Sequence, residues 1–332
     1  MIRLLEVTLR DGGYVNDWKF GLECTRKFIE GIYAAGIRDI EIGILGQGRR
    51  SYGDTLFNSF DQIKELLIRK NSNCNYYVMM NQSDASNYTV PQRSSETPDI
   101  IRLAYFKNAW KDAVKTAEIL QEKGYGVFLQ AMATFLYDEY ELQQMITAVN
   151  QVRPKALYLV DSFGTMYNEE VRNLLLKIDD KLSKDILLGF HAHNNMQMAL
   201  SNTIAYINTL PHRELMTDAS IFGMGRGAGN TPLELLAHYT NKHCGTEIDI
   251  TKLLELYEEC ISPIYEQYEW GYSIRYFITA LKESNPVYGW YLSTKGIDTV
   301  QEIERIIEAI PPEKRFTLYK QLVDEIIEAK NK

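Results

Sequence analysis

Cysteine is scarce in this sequence and is not arranged as a scaffold. The chain has four cysteines among 332 residues, far apart and without a CxxC pair. Such spacing indicates neither a disulfide framework nor a zinc ribbon. We therefore expect reduced thiols in a cytoplasmic protein. The four positions are Cys24, Cys74, Cys244 and Cys260.

Long apolar runs and an excess of basic residues are missing as well. No stretch approaches the length that crosses a bilayer, and the first residues lack the apolar run of a signal peptide. The formal net charge is −8, which argues against nucleic acid as the main partner because phosphate binding requires a basic surface. We expect no nucleic-acid and no membrane partner. A small anionic substrate remains compatible, since it needs only local positive charge.

The sequence does contain a regular alternation of short apolar runs with longer amphipathic segments, up to about residue 245. The runs have the length and composition of buried strands. The predicted strands are Leu4–Leu9, Arg38–Ile44, Asn75–Asn81, Asp99–Ala104, Gly126–Ala133, Lys155–Asp161, Ile186–His193 and Met216–Phe222. The predicted helices between them include Leu22–Ala35, Ser59–Arg69, Trp110–Lys123, Glu139–Val152, Glu169–Lys181 and Gln197–Asn208. This α/β pattern predicts a (β/α)8 TIM barrel.

A doubly wound open sheet is the structural alternative. Polar residues follow the first, second, third, sixth, seventh and eighth predicted strands. A barrel gathers all of those strand ends on one face, whereas an open sheet gathers them mainly at a switch point. We therefore predict a TIM-barrel catalytic domain over residues 1–245 and a C-terminal α-helical region over 246–332, as a lid, an oligomerisation surface or both. Its predicted helices are Leu253–Glu266, Ile274–Lys282, Thr299–Ala309 and Glu313–Ala329.

Two of the five histidines share the end of the seventh predicted strand, in the segment FHAHNN. Residues two apart in a strand project to the same side, so His191 and His193 form a ready pair of metal ligands. A pair of hydrogen-bonded core histidines is the alternative. Asp11, at the end of the first predicted strand, supplies an anionic ligand if the barrel closes. Such a set without thiolate suits Mn²⁺, Mg²⁺, Co²⁺ or Zn²⁺.

Arg10 precedes Asp11 in the segment TLRDGG. Beside a metal ion, its guanidinium could stabilise an enolate or carboxylate oxygen, and a solvated ion pair is the alternative. Gly12 and Gly13 are expected to let the chain turn at the barrel mouth. Glu41, within the second predicted strand, needs a partner because an unpaired buried carboxylate is costly, and Arg10 is one candidate.

A glycine-rich loop, GMGRGAGN, follows the eighth predicted strand. It does not have the GxGxxG spacing of a dinucleotide site. Asn230 at its end either reaches the metal or caps the next helix. Ser162, in the segment DSFGT after the sixth strand, offers a hydroxyl at the rim or forms a turn.

Together the motifs TLRDG, EIG, DSFGT, HAHNN and GRGAGN, in this order, resemble the metal-dependent HMG-CoA-lyase-like superfamily of TIM barrels. The resemblance covers about residues 1–245 and is closest to the 4-hydroxy-2-oxoacid aldolases, through VTLRDG and GAGNTPLE. It implies that Asp11, His191 and His193 bind a divalent metal, with Asn230 as a fourth ligand or near neighbour.

The resemblance also implies roles toward the substrate. Arg10 would stabilise the enolate of a 2-oxoacid, Ser162 would contact substrate, and a weaker match places Tyr272 in the active site. Related aldolases carry a histidine where this chain has Tyr14. A tyrosine beside a metal or cation can transfer protons, so Tyr14 is one candidate for the general base and a metal-bound hydroxide is another; the base is left unassigned.

These features predict a metal-dependent aldolase that makes or breaks a C–C bond next to a 2-oxoacid such as pyruvate, with an aldehyde as second partner. One alternative is a Claisen-type synthase that condenses acetyl-CoA with a 2-oxoacid, and another is an inactive barrel used for binding or assembly. The acyl-dehydrogenase partner of pathway aldolases has no sure sign in the C-terminal region. Aromatic residues there predict a homo-oligomer, although packing within the chain is equally compatible. They are Trp270, Tyr276, Phe277 and Trp290.

Overall fold

The predicted strands close into one barrel. The computed structural model describes residues 2–48, 51–70 and 73–329. Its barrel strands are β1 (Ile2–Glu6), β2 (Asp39–Leu45), β3 (Asn75–Asn81), β4 (Ile100–Tyr105), β5 (Gly126–Ala131), β6 (Ala156–Asp161), β7 (Leu187–Ala192) and β8 (Leu215–Ala219). Neighbouring strands pair in parallel, and β1 pairs with both β8 and β2. The TIM barrel is therefore confirmed.

Helices cover the outside of the barrel at most of the predicted positions. They are Leu22–Ala34, Trp110–Glu122, Glu139–Val152, Asn168–Lys181, Ala199–Thr209 and Leu233–His243. The prediction of one helix over Ser59–Arg69 is wrong, because this segment forms two short 3₁₀ turns, Phe60–Gln62 and Lys64–Leu66. The N–H of Arg69 donates to the Tyr76 hydroxyl (2.9 Å) rather than to a helical carbonyl. None of the described helices is long and apolar enough to cross a membrane.

The first strand ends earlier than its sequence pattern predicts. The prediction was a strand over Leu4–Leu9, but β1 ends at Glu6 and Thr8–Gly12 forms a π-helical turn. The N–H of Asp11 donates to the carbonyl of Val7 (2.7 Å) and thereby winds the chain out of the strand. Single π-helical turns occur frequently at functional sites, and this one lies at the mouth of the barrel.

Two contacts from other segments hold this turn in place. The Thr55 hydroxyl donates to the carbonyl of Leu9 (2.7 Å). The Thr8 hydroxyl accepts from the N–H of Ile221 (2.9 Å), just beyond β8. The turn is therefore fixed on both sides.

The apolar residues of the barrel form separate clusters inside it and outside it. The larger cluster lies between the strands and the helices. A smaller one fills the barrel below its polar mouth and includes Leu5, Val7, Tyr77, Phe128, Tyr158 and Met216. The polar side chains at the strand ends therefore lie above a layer of packed apolar side chains.

The C-terminal region has two packing units. Leu253, Leu256, Cys260 and Ile261 join the large cluster of the barrel. The helices Ile274–Leu281, Val287–Thr294, Val300–Ala309 and Lys320–Ala329 share a cluster of their own. The ring of Phe316 stacks on that of Phe163 at the barrel rim, with centroids 5.9 Å apart. The second unit thus reaches the mouth of the barrel.

The C-terminal helices differ in detail from their predictions. The predicted Leu253–Glu266 is broken into Ile250–Leu256, a π-helical turn and Ser262–Tyr265. The helix predicted from Glu313 begins at Lys320, and Val287–Thr294 was not predicted. These segments pack on one another, so their boundaries depend on contacts that the local pattern does not contain.

The C-terminal aromatic residues have mixed environments. Trp270 is buried, and its indole N–H donates to the carbonyl of Phe222 (3.1 Å). Trp290 is about half exposed. Packing within the chain therefore accounts for Trp270, and the homo-oligomer stays a prediction.

Glu6, the last residue of β1, is a buried carboxyl that links stability to pH. Its Oε1 accepts from the N–H (2.7 Å) and the hydroxyl of Thr8. Burial raises the pKa of Glu6 to about 8, against the opposing effect of the Thr8 hydrogen bonds. Because the unfolded pKa is about 4.3, the folded protein keeps a proton that the unfolded chain releases. The resulting stability is fully present below about pH 4 and is lost as the pH rises through 8.

We expect Glu6→Gln to remove this pH dependence. Between about pH 5 and 8, the free energy of unfolding of the wild type should fall by about 1.4 kcal/mol per pH unit relative to the variant. Urea titrations of both proteins at matched ionic strength measure the difference. Parallel pH profiles would contradict a protonated Glu6.

Candidate metal centre and active site

Three side chains turn one ligand atom each toward a common point at the barrel mouth. Asp11 Oδ2 lies 3.5 Å from His191 Nε2 and 3.7 Å from His193 Nε2. The ligand atoms of the three residues lie within 4.8 Å of one another, and all three residues are buried. The structure thus brings together the turn after β1 and the histidine pair at the end of β7, which lie some 180 residues apart in sequence.

The outer contacts of the two histidines determine which ring nitrogen faces this point. His193 Nδ1 lies 2.9 Å from the carbonyl oxygen of Asp161, which can only accept, so Nδ1 carries the proton. His191 Nδ1 lies 2.8 Å from the carboxylate of Asp218. Metal-bound histidines have the same arrangement, with one N–H on a carbonyl or carboxylate and a lone pair on the other nitrogen. Both Nε2 atoms are therefore oriented as ligands.

Asn230, in the loop after β8, lies beside the second histidine and forms an isolated β-bridge with His193. Its Nδ2 donates to the carbonyl of Met224 (3.2 Å), while its Oδ1 is buried and has no hydrogen-bond partner in the described part of the chain. A Cβ on Gly225 would lie 2.5 Å from Asn230 Nδ2, so glycine makes room for this side chain. The following helix is preceded by Pro232 and has no side-chain cap. Asn230 accordingly does not cap this helix, and its role as a metal ligand stays a prediction.

The unpaired buried atoms fit a divalent cation. Asp11 Oδ2, His193 Nε2 and Asn230 Oδ1 are all buried without a hydrogen-bond partner among the described residues. Each such atom costs about 1–3 kcal/mol when left unsatisfied, and a cation between Asp11 and the histidines would satisfy Asp11 Oδ2 and His193 Nε2. Imidazole and oxygen ligands without thiolate suit Mn²⁺, Mg²⁺, Co²⁺ or Zn²⁺.

Two arginines hold the carboxylates around this point. Arg10 Nε donates to Glu41 (2.6 Å) and Arg10 Nη1 to Asp11 (2.7 Å). Arg102 donates to Glu41 (2.6 Å) and to Asp218. Glu41 therefore has the partner that its burial requires. Two guanidinium groups face three carboxylates, and the excess negative charge favours a cation.

This network favours the metal-binding form of Asp11 and His193. Burial alone would raise the pKa of Asp11, but Arg10 and His191 outweigh it and hold the pKa well below its usual range. Burial, together with the neighbouring His191, lowers the pKa of His193 to about 3. Burial also acts to lower the pKa of His191, yet Asp11 and Asp218 outweigh it and the pKa is raised. Near neutral pH, Asp11 is ionised and His193 is neutral.

The two glycines of TLRDGG leave room for neighbouring side chains to pack closely against the backbone. The chain turns here as expected, but Gly12 and Gly13 have ordinary helical φ values of −59° and −55°, so the backbone conformation does not require glycine. A Cβ on Gly13 would lie 1.9 Å from the Trp18 ring. The Trp18 indole donates to the carbonyl of Arg10 (2.7 Å). Gly13 thus lets Trp18 support the turn that carries Arg10 and Asp11.

A cavity opens above the ligand atoms in two parts. An inner recess is lined by the metal-site residues, and an outer cavity of about 570 Å³ leads from it to solvent. Ser162 lines both parts, and its Oγ accepts from the N–H of Ala133 (2.8 Å), which leaves the hydroxyl proton free to donate. Tyr14 and Arg226 also line both parts.

Tyr14 stands at the junction of the recess and the outer cavity. Its side chain is partly exposed, and its ring lies edge-on to Trp18 with centroids 4.6 Å apart. The Arg226 guanidinium lies over the ring at 5.3 Å from the centroid. Tyr14 is therefore held by its ring, while its position at the junction gives it access to a ligand.

Tyr272 does not line this cavity and is about half exposed. Its role stays a prediction from the resemblance. The C-terminal residues that do line the cavity are Asn285, Val287, Phe316, Thr317 and Leu318.

Four further residues of the site were not found from the motifs. Arg102 and Asp218 lie within strands and are fully buried, Gln130 accepts from Arg102 (3.1 Å), and Arg226 lies in the glycine-rich loop. For Arg102 and Asp218 a signal was present: an ionisable residue inside an apolar strand requires a charged partner. Gln130 and Arg226 carry no comparable signal.

Sequence comparisons relate the chain to known lyases. The family model described as HMGL-like matches residues 1–259. A 4-hydroxy-2-oxovalerate aldolase of Bacillus thuringiensis (strain Al Hakam) is 27% identical over 267 residues, covering 79% of this chain and 76% of that protein. An oxaloacetate decarboxylase of Mycobacterium tuberculosis is 26% identical over 240 residues, covering 70% and 68%.

Among solved structures, the N-terminal domain of a proposed aldolase from Bacteroides vulgatus is similar, with a TM-score of 0.75 and 27% identity. The match covers 88% of this chain and 96% of that one. The family model covers well over half of the chain. The chain belongs to the HMGL-like family.

Proposed function

We propose that this protein is a divalent-metal-dependent aldolase that cleaves or forms a C–C bond next to a 2-oxoacid such as pyruvate. The observation that carries the proposal is the convergence of Asp11, His191 and His193 beside the Arg10 guanidinium. These three residues, with Asn230, would hold the ion. A bound divalent cation supplies Lewis-acid chemistry for the 2-oxo and carboxylate oxygens of the substrate. Relatives named aldolase and oxaloacetate decarboxylase support the reaction class.

Arg10 has a donor left for the substrate after its protein contacts. Its Nε and Nη1 bond to Glu41 and Asp11, while Nη2 lies 4.0 Å from the Asp218 carboxylate, beyond hydrogen-bond distance. Nη2 can therefore donate to the oxygen on C2 of the 2-oxoacid, where negative charge develops as the enolate forms. Because the guanidinium is already held in position, it stabilises that charge without reorganisation.

Other groups of the recess suit the carboxylate of the substrate. The Ser162 hydroxyl has its proton free, and the Nε2 of Gln130 is a buried donor without a partner in the described chain. Apolar side chains complete the wall and exclude water from the enolate. They are Met79, Ala104, Met132 and Val160.

Tyr14 is the candidate for proton transfer at the 4-hydroxyl. In the cleavage direction the 4-hydroxyl gives its proton to a base, the C3–C4 bond breaks, and its electron pair becomes the enolate of the 2-oxoacid. Tyr14 lines both the recess and the outer cavity, which is where the C4 substituent would leave the recess. This position supports the role.

We expect Tyr14→Phe to lower kcat for cleavage of a 4-hydroxy-2-oxoacid by about 10²-fold or more, because general acid–base catalysis contributes about 10²–10⁴-fold. Metal affinity should not change. Tyr14→His should retain activity within about tenfold, since histidine is the residue that the related aldolases carry there. Steady-state kinetics of the three proteins measure this, and full activity of Tyr14→Phe would assign the proton transfer elsewhere.

Removal and return of the metal test the proposal as a whole. Chelator-treated protein should not cleave or condense 2-oxoacids, and Mn²⁺, Mg²⁺, Co²⁺ or Zn²⁺ should restore the reaction. Thiol release from acetyl-CoA with a panel of 2-oxoacids would indicate the Claisen-type synthase instead. A protein that binds no metal and whose stability is unchanged in His191→Ala would indicate an inactive barrel.

A further inference from the structure

Two of the four cysteines meet where the C-terminal region packs on the barrel. Cys24 lies in the first turn of the helix Leu22–Ala34, and Cys260 lies in the π-helical turn Tyr257–Ile261. Both are free cysteines, and their thiols share a hydrogen bond. Neither residue lines the recess or the outer cavity. The proposed aldolase reaction therefore gives this pair no role.

Contacts further along the same helix show how the two segments are aligned. Lys27, one turn after Cys24, pairs with Glu259 (3.0 Å). One turn further, Gly31 packs so closely on Leu256 that a Cβ would lie 2.4 Å from its Cδ2. Positions 24, 27 and 31 thus meet 260, 259 and 256 in turn, which is the order of two antiparallel segments packed side by side. The two sulfur atoms face each other at one end of this contact.

The surroundings of the two thiols differ in a way that suits a redox pair. Cys24 is partly exposed, whereas Cys260 is buried. The hydrogen bond from Cys260 and the Lys27 ammonium lower the pKa of Cys24, against burial and the charge of Glu23. The same hydrogen bond, together with burial, raises the pKa of Cys260. Cysteines that sense oxidants are accessible, have a lowered pKa and often stand beside a second thiol that completes the disulfide.

We propose that Cys24 and Cys260 are a redox-sensitive pair that closes into a reversible disulfide and fastens the C-terminal region to the first barrel helix. Hydrogen peroxide serves as the oxidant. The Cys24 thiolate attacks one peroxide oxygen, the O–O bond breaks, and hydroxide leaves while Cys24 becomes a sulfenic acid. The Cys260 sulfur then attacks the Cys24 sulfur, the S–O bond breaks, and the hydroxyl leaves with the Cys260 proton as water.

The electrons and protons of this sequence balance. The two sulfur atoms lose two electrons in total, and the peroxide gains them. The first hydroxide takes up the proton that Cys24 lost on forming its thiolate, so the products are one disulfide and two water molecules. A dithiol such as dithiothreitol returns both cysteines to thiols by thiol–disulfide exchange.

Thiol counting in denaturant tests the disulfide. Cys244 is exposed, so the measurement uses Cys244→Ser to prevent links between molecules. This protein keeps three of the four thiols, and brief treatment with hydrogen peroxide should leave one, with the Cys24 and Cys260 peptides linked in mass spectra. Burial raises the pKa of Cys74 to about 12, so Cys74 should stay reduced. Three remaining thiols, a different linkage, or a loss that dithiothreitol does not reverse would overturn the inference.

Serine variants separate the roles of the two cysteines. In Cys260→Ser, Cys24 should still react with peroxide, and dimedone should trap its sulfenic acid because no second thiol consumes it. In Cys24→Ser, the dimedone adduct should be lost, since Cys260 is buried with a raised pKa. An adduct of equal yield on Cys260 in Cys24→Ser would overturn this order of attack.

Thermal unfolding tests whether the bond fastens the C-terminal region to the barrel. A disulfide stabilises mainly by constraining the unfolded chain, and more so when it joins residues far apart in sequence. The unfolding midpoint should rise by at least about 2 °C on oxidation and return with dithiothreitol. Cys260→Ser, taken through the same treatment, should show no rise. An unchanged or lower midpoint in the disulfide-linked protein would overturn the proposed fastening.

Discussion

Arg10→Lys is expected to lower the rate of proton exchange at C3 of pyruvate by about 10²- to 10³-fold, the usual effect of removing one preorganised donor from a developing oxyanion. Lysine keeps the charge, but its single ammonium cannot reach Glu41 and Asp11 and also donate to the substrate, as the planar guanidinium does. Divalent-metal affinity should remain within about tenfold, because the ligands stay in place. Deuterium incorporation into pyruvate, followed by mass spectrometry, measures the rate.

Arg26→Lys is the matched control for this variant. Arg26 is exposed on the first barrel helix and pairs with Glu65 at 3.9 Å, away from the cavity. Its replacement should leave the exchange rate unchanged. An Arg10→Lys variant that exchanges as fast as the wild type would show that this guanidinium does not stabilise the enolate.

Asp11→Asn is expected to weaken divalent-metal binding by more than about 100-fold. Loss of a group that only orients a metal-bound histidine costs about 10- to 100-fold, and Asp11 provides the anionic ligand atom itself. Isothermal titration with Mn²⁺ measures the affinity, and pyruvate exchange should be lost at the Mn²⁺ concentration that saturates the wild type. Thermal unfolding is measured in parallel, because Asp11 also pairs with the buried Arg10 (2.7 Å).

His212→Gln is the control for the metal measurement. His212 is exposed and lies outside the cavity, so its replacement should not change the affinity. A folded Asp11→Asn variant that binds Mn²⁺ like the wild type would remove Asp11 from the ligand set. The two site variants also separate metal binding from enolisation of pyruvate. Arg10→Lys should bind metal without enolising pyruvate, and Asp11→Asn should do neither.

The order of the elements was largely predictable from the sequence. Strands and helices are local patterns of apolar residues, and the helix Glu139–Val152 has the predicted bounds because Asp138 and Glu141 form a capping box at its start. The first strand was predicted too long. Its continuation into Leu9 has the apolar alternation of a strand, but the hydrogen bonds of Leu9 and Thr8 to Thr55 and Ile221 come from distant segments.

The ligand set could be predicted because each motif ends a strand and a barrel brings strand ends together. The buried ion pairs that hold these ligands in place could be predicted only in part. The buried Glu41 was recognised as needing a partner, yet Arg102 and Asp218, which complete the network, stand in strands that otherwise look like plain core. A search for every ionisable residue inside an apolar run would have found both.

The wall that the C-terminal region gives to the cavity was beyond prediction from local patterns. Phe316, Thr317 and Leu318 lie between helices and far from the barrel in sequence. The stacking of Phe316 on Phe163 places them at the mouth. The motif-based prediction chose Tyr272 from this region, and the residues that line the cavity are others.

The most direct test of the central proposal is deuterium incorporation at C3 of pyruvate before and after metal removal. Chelator-treated wild-type protein in D₂O should incorporate no deuterium above the rate in buffer. One equivalent of Mn²⁺ per Asp11–His191–His193 site should restore incorporation, and it should fail to do so in Asp11→Asn. Equal incorporation by the metal-free and the metal-loaded wild type would contradict a metal–enolate site at this barrel mouth.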